Sequence, residues 1–146
     1  MKSGSARPES RVILVVDDSD EDFFFLECAL EKTRLPHRMF HVRDGAEALK
    51  YLEGEGRFHD RHRFPKPDMM ILDLKMPVMD GFELLEVLGK ELKFTDFPVL
   101  VLSGSNLPED EAKALELGAR SYHVKCCDPK KAVEAIREVC DKYFGT

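Results

Sequence analysis

Three aspartates, a serine and a lysine stand where candidate strands of this chain stop. Val12–Val16 ends in Asp17 and Asp18, Met69–Leu72 in Asp73, Val99–Leu102 in Ser103, and Ser121–Val124 in Lys125. A carboxylate at the end of a buried segment must be paired, bind a cation or react, because its desolvation is otherwise too costly. If the runs are neighbouring strands, three carboxylates share one site. Two like charges about 5 Å apart repel by roughly 3 kcal/mol at an effective dielectric of about 20. Lys125 supplies one compensating charge, and a hard divalent ion with oxygen ligands, such as Mg²⁺, is the natural second. Such a site suits phosphoryl transfer onto a carboxylate. The metal and Lys125 would offset charge on the phosphoryl oxygens, and Ser103 would donate a hydrogen bond. An acyl phosphate of Asp or Glu is an established kind of covalent intermediate. Taken singly, each residue is an ordinary loop residue. The pattern lies in their recurrence at consecutive run ends.

The elements that must position these residues follow from the flanking sequence. Val12–Val16 and Met69–Leu72 are unbroken apolar runs that fit strands buried on both faces. After Asp18 a helix begins near Ser19 or Asp20, with acids in its first turn to suit the helix dipole. Phe23, Leu26 and Leu30 fall on its core face; Phe24 and Phe25 widen the stripe, as extra core or as a partner-binding surface. Arg38–Val42 reads as a shorter, more polar strand, closed by Asp44-Gly45. A helix marked by Ala46, Leu49 and Leu52 follows and stops at Gly54. Gly54–Pro67, rich in Arg, His, Gly and Pro, reads as a long exposed loop. Its His59 and His62 are potential metal ligands, but two histidines in a charged loop are more ordinarily just solvated.

Met76-Pro77 and Asp80-Gly81 signal a turn before a helix carrying Phe82, Leu85, Leu88 and Leu92. Past Ser103-Gly104, Asn106 and Glu109 have capping-box spacing, Pro108 suits an early helical position, and Gly118 suits the close of that helix. Ser121–Val124 is a weak last strand. The final helix, from about Pro129 to Phe144, carries Val133, Ile136, Cys140 and Tyr143 on one side. Strands alternating with helices five times predict an α/β fold, a parallel sheet with helices on both faces. The first, third and fourth strands are the most apolar and the second and fifth look like edges. That profile fits the doubly wound, flavodoxin-like order 2-1-3-4-5, in which ligands bind along the carboxyl edge of the sheet.

With 146 residues the chain has room for one domain with a real core. A net charge of -6 argues against nucleic acid or an anionic membrane as the partner. No apolar run approaches the roughly 18–20 residues that span a bilayer. Met1–Ser10 is polar, without the apolar core of a secretory signal, so a flexible tail over 1–10 and a domain over 11–146 are expected. Cys28, Cys126, Cys127 and Cys140 lack C-x-x-C spacing and are expected to be free thiols in a reducing cytoplasm.

Val-Asp-Asp at 16–18, Asp-Leu-Lys-Met-Pro-Val-Met-Asp-Gly at 73–81, Leu-Ser-Gly at 102–104 and Tyr-His-Val-Lys at 122–125 together resemble the response-regulator receiver domain. The likeness runs from about Arg11 to Phe144. It implies a single-domain response regulator of a two-component phosphorelay, with Asp73 as phosphoacceptor. It also implies Mg²⁺ held by the carboxylates of Asp18 and Asp73, by Asp17 through water, and by the backbone carbonyl of Lys75. Ser103 takes the place of the switch Ser/Thr, Tyr122 of the switch aromatic, and Lys125 of the phosphoryl-binding lysine. Lys75 and Ser105 occupy positions that tune hydrolysis. The implied donor is a sensor histidine kinase, of phytochrome type by the likeness of the long loop before the third strand. The implied protein is a cytoplasmic regulator and not an enzyme, beyond slow self-dephosphorylation. Output is expected through protein contact, with a phosphotransfer protein, a kinase or a second copy, and no DNA-binding domain is expected after the fifth helix.

In one place the chain departs from the family. Where the family follows its lysine with proline across a cis peptide, this chain has Cys126. A cis bond before a non-proline residue costs roughly 2.5–4 kcal/mol, so a trans 125–126 peptide and an altered loop before the last helix are expected. Rival readings are a receiver-like scaffold that binds partners without phosphorylation, and an aspartate-nucleophile phosphatase. The haloacid-dehalogenase-like phosphatases want a second Asp where Lys75 stands. A dinucleotide-binding domain would need a Gly-rich turn where this chain has Asp17-Asp18-Ser19-Asp20.

Overall fold

The apolar runs become strands because each finds cover on both faces. In the computed structural model, which describes residues 10–33, 35–91, 96–126 and 128–144, the strands are β1 (Arg11–Val16), β2 (His37–Val42), β3 (Met69–Leu72), β4 (Val99–Ser103) and β5 (Ser121–Val124). The helices are α1 (Asp20–Glu31), α2 (Gly45–Glu53), α3 (Gly81–Lys90), α4 (Pro108–Glu116) and α5 (Pro129–Phe144). All strand pairs are parallel, in the order β2-β1-β3-β4-β5, which is the expected doubly wound arrangement. The expectations for Met1–Glu9, Leu92 and Cys127 fall outside the described residues.

Strand residues alternate between two separate cores. Leu14, Val16, Met70, Leu72 and Val101 meet Ala48, Leu84, Leu85, Leu88 and Ala114 of α2, α3 and α4. Ile13, Val15, Met69, Ile71 and Leu100 meet Leu26, Leu30, Ala132, Ile136 and Val139 of α1 and α5. The register sets Val16 beside Leu72, Leu72 beside Val101, and Ser103 beside Val124, so the next residues share one edge. The ladder continues one step past the strands. Asp17 N–H donates to Val42 O at 3.0 Å, Asp73 N–H to Val16 O at 2.9 Å, and Lys125 N–H to Ser103 O at 2.7 Å.

Three local expectations need correction. Phe24 is 64% exposed and adds nothing to the core, although Phe25 packs on it. Tyr143 is 37% exposed because the buried stripe of α5 turns through Ala132, Val133, Ala135, Ile136, Val139 and Cys140, leaving the tyrosine on the rim. Asn106 and Glu109 form no capping box: α4 starts after Leu107 with no side-chain cap. The reciprocal box occurs at α3 instead, where Asp80 Oδ1 accepts the Glu83 N–H at 2.9 Å and Glu83 Oε1 accepts the Asp80 N–H at 3.0 Å.

The segment Gly54–Pro67 is an exposed connection along much of its length, as expected, but it also packs an aromatic cluster. Phe58, in a 3-10 turn over Gly56–Phe58, is 3% exposed, with its ring centroid 5.1 Å from Tyr51 and 5.2 Å from Phe64. Arg61 donates to Leu52 O at 2.7 Å and Phe64 O at 3.0 Å, and Tyr51 OH donates to Pro65 O at 2.7 Å. These bonds satisfy carbonyls that the aromatic cluster takes out of water. His59 and His62 are exposed, and neither belongs to a metal-competent cluster among the described residues.

Candidate functional site

The turn after β1 is fixed by two of its own side chains, Asp17 and Ser19, and the second Asp17 oxygen still faces Lys125. Asp17 Oδ1 accepts the Ser19 N–H at 2.9 Å, and Ser19 Oγ accepts the Asp22 N–H at 3.1 Å to start α1. The end of β2 secures the same turn from outside. His41 Nε2 donates to Asp17 O at 2.6 Å, which fixes the proton on that nitrogen, and the ring stacks on Phe23 at 4.4 Å. Arg43 donates to Asp18 O at 3.2 Å and pairs with the Asp20 carboxylate.

The loop from Asp73 to α3 is clamped by two glycines that open helices. Gly81 N–H donates to Leu74 O at 3.0 Å, and Gly45 N–H to Met79 O at 2.9 Å. A Cβ at Gly81 would lie 2.5 Å from the Asp73 carbonyl oxygen, so no side chain fits there without displacing the acid's own backbone. Within the loop, Val78 takes φ 65 and is 82% exposed. A β-branched residue is strained in this left-handed region, at a cost of about 1–3 kcal/mol.

The structure brings the three predicted acids together. Carboxylate oxygens of Asp17, Asp18 and Asp73 lie within 4.8 Å of one another, with Asp17 and Asp73 buried and Asp18 exposed. Lys125 Nζ lies 3.0 Å from Asp17 Oδ2 and 3.4 Å from Asp73 Oδ2. Burial pushes the Asp73 carboxyl above the usual range and the Asp17 charge adds to this, while the Lys125 ammonium and the Lys75 amide oppose it. Burial pulls Lys125 down, but hydrogen bonds to Asp22 and Asp17 and the charges of Asp17 and Asp73 outweigh it, so its net shift is upward. The 125–126 peptide is trans, as expected. Lys125 still reaches the acids with Cys126 in the proline position. An all-oxygen set carrying more negative charge than one lysine offsets suits a hard divalent cation.

The remaining predicted residues surround this centre. Ser103 is fully buried, and its Oγ accepts the Ser105 N–H at 3.2 Å. Tyr122 OH donates to Ser105 O at 2.8 Å. The Ser105 hydroxyl donates to Asp110 Oδ2 at 2.6 Å and accepts the Leu107 N–H at 3.2 Å. Lys75 lies with Asp18, Met76, Pro77 and Asp80 around a shallow depression beside the acids.

Sequence reasoning missed three contributors: Asp22, His41 and Arg43. Asp22 Oδ2 makes the shortest contact to Lys125, at 2.5 Å. Its position four residues after Asp18, in the first turn of a helix, reads only as a dipole complement. His41 and Arg43 stand at the end of an unremarkable polar strand, and only the parallel pairing of β2 with β1 brings them to the acids.

Comparison with known proteins agrees with this geometry. The family model described as response regulator receiver domain matches residues 13–137. The chain is 28% identical over 129 residues to the response regulator Rcp1 of Synechocystis sp. (strain ATCC 27184 / PCC 6803 / Kazusa), covering 88% of this chain and 86% of Rcp1. A crystal structure of Mn²⁺-bound Rcp1 superposes with TM-score 0.75 at 27% identity, over 90% of this chain and 92% of that one. The phosphorylated cyanobacterial phytochrome response regulator RcpA gives TM-score 0.79 at 28% identity, over 93% and 95%. The bacteriophytochrome response regulator AtBRR gives 0.76 at 35% identity, over 90% and 94%. Since the family match takes in every strand end from which the site is built, the chain belongs to the response regulator receiver domain family.

Proposed function

We propose that this receiver accepts a phosphoryl group on Asp73 from a phosphohistidine of a sensor kinase. The observation that carries the reading is the Asp73 carboxylate, 8% exposed at a strand end, with two further acids and the Lys125 ammonium around it. A carboxylate oxygen of Asp73 attacks phosphorus, the histidine N–P bond breaks, and the imidazole leaves with the bonding pair. Lys125 offsets negative charge on the transferred group, and Ser103 donates its hydroxyl to a phosphoryl oxygen. Asp17, Asp18 and Asp73, with the Lys75 carbonyl, would hold Mg²⁺, which when bound supplies further positive charge against the phosphoryl oxygens. The Mn²⁺ in Rcp1 supports a divalent ion in this role. The phytochrome regulators among its relatives support a phytochrome-type kinase as donor.

Ser103 and Tyr122 share one partner, Ser105, by its N–H and its carbonyl. Drawing the Ser103 hydroxyl toward a phosphoryl group breaks the first bond and frees the loop that Tyr122 holds. Partner contacts on the face of α4, β5 and α5 then change. Lys75 shields the acyl phosphate from water, and Ser105, held on Asp110, bears on its hydrolysis through the loop. The test is incubation with Mg²⁺ and acetyl phosphate. Wild type gains one phosphoryl group by mass and Asp73→Asn gains none; equal incorporation would overturn the reading. Faster decay of the label in Lys75→Ala checks the shielding role.

A further inference from the structure

Lys125 is shared among more acids than phosphoryl binding requires. Its ammonium lies 2.5 Å from Asp22, 3.0 Å from Asp17 and 3.4 Å from Asp73. The residue that holds it most closely is thus not the phosphoacceptor. Asp22 is also well anchored, because its N–H is bound to Ser19 Oγ at 3.1 Å in the cap of α1. Lys125 is fixed at its backbone to Ser103 O, so only its side chain can swing between the two carboxylates. Of the three, Asp22 alone stands outside the metal-competent cluster, so a cation there would leave its hold on Lys125 intact while drawing on Asp17.

We infer that Asp22 is a positioning residue that holds Lys125 back from Asp73, competing with a phosphoryl group on Asp73 for the lysine. The inference rests on Asp73 being the phosphoacceptor. Asp22 touches neither the phosphoryl group nor the metal cluster and acts only through Lys125. Its side chain is 43% exposed against 9% for Asp73, so water screens this contact more than the one it opposes. The hold is therefore breakable. It sets a threshold for engagement of the lysine and does not block it.

The test is titration calorimetry of beryllofluoride, a phosphoryl mimic, in the presence of Mg²⁺. Asp22→Asn is expected to bind tighter by roughly two- to fivefold, the range spanned by an exposed ion pair. Asp22→Glu, which keeps the charge, is expected to stay near wild type. Glu21→Gln removes a neighbouring acid from the same cleft without touching Lys125, and is expected to change little. In a Lys125→Met background the gain from Asp22→Asn is expected to vanish. Equal affinity of Asp22→Asn and wild type would overturn the inference, as would an equal gain in Glu21→Gln or a gain that survives without the lysine. These failures leave the phosphoacceptor reading standing. Wild type that binds no beryllofluoride at all would fail that reading, and this inference with it.

Discussion

The two edges of the sheet are held together by different physics. At the carboxyl edge, acids from two strand ends face one lysine, and the loops that carry them are pinned by backbone hydrogen bonds and glycine contacts. At the amino edge, the segment before β3 folds on Tyr51, Phe58 and Phe64, with Arg61 tying up its carbonyls. One edge crowds more carboxylates around its lysine than that one charge offsets, which leaves it able to take up a cation. The other pairs the Tyr51 hydroxyl and the Leu52, Phe64 and Pro65 carbonyls around its rings, which is what a structural plug needs. Damage to the second should cost stability and spare chemistry, and damage to the first should do the reverse.

The largest effect is expected from Phe58→Ala. Removing a ring that is 3% exposed should cost about 3–5 kcal/mol in urea unfolding, while the folded fraction still labels at Asp73 with acetyl phosphate. Loss of labelling in the folded protein would show the two edges to be coupled. Gly81→Ala should give the opposite split. Its Cβ would sit 2.5 Å from the Asp73 carbonyl oxygen, so labelling should fall severalfold for a stability cost of only about 1–3 kcal/mol. Wild-type labelling would mean that the loop has slack.

Tyr51→Phe sharpens the comparison at smaller scale, since losing the bond to Pro65 O should cost about 1 kcal/mol at neutral pH. It also carries a pH signature. Burial pushes the Tyr51 phenol up from 10.0 to about 12, opposed only by the charges of Arg61 and Arg38. A group raised in the folded state contributes stability that is full below its unfolded value and is lost as pH rises through the folded one. Wild-type stability should therefore fall between pH 10 and pH 12. The phenylalanine variant should lack that component, a difference read from denaturant midpoints across the window.

What could be read in advance divides along the same line. Candidate strands ending in Asp17, Asp18, Asp73, Ser103 and Lys125 are legible because parallel strands bring their ends to one edge whatever the loops do. The order of strands was legible for a related reason: edge strands can stay polar. Phe58 and Phe64 were not, because two aromatics scattered among arginines have no period, and Tyr51 lies on the preceding helix. Asp22 escaped notice because an acid in a first helical turn already has a sufficient reason to be there. His41 and Arg43 act through partners more than twenty positions away, across a strand pair that a linear reading cannot register.

The sheet keeps its two helical layers from sharing a core, yet the acid pocket answers to both. Asp73 is braced by Gly81, which opens α3, and Gly45 of α2 holds Met79 farther along the same loop, while Lys125 is caught by a carboxylate from α1. The helical layer of α3 thus reaches the pocket at the backbone of Asp73, and that of α1 reaches it at the Lys125 ammonium, 3.4 Å from Asp73 Oδ2.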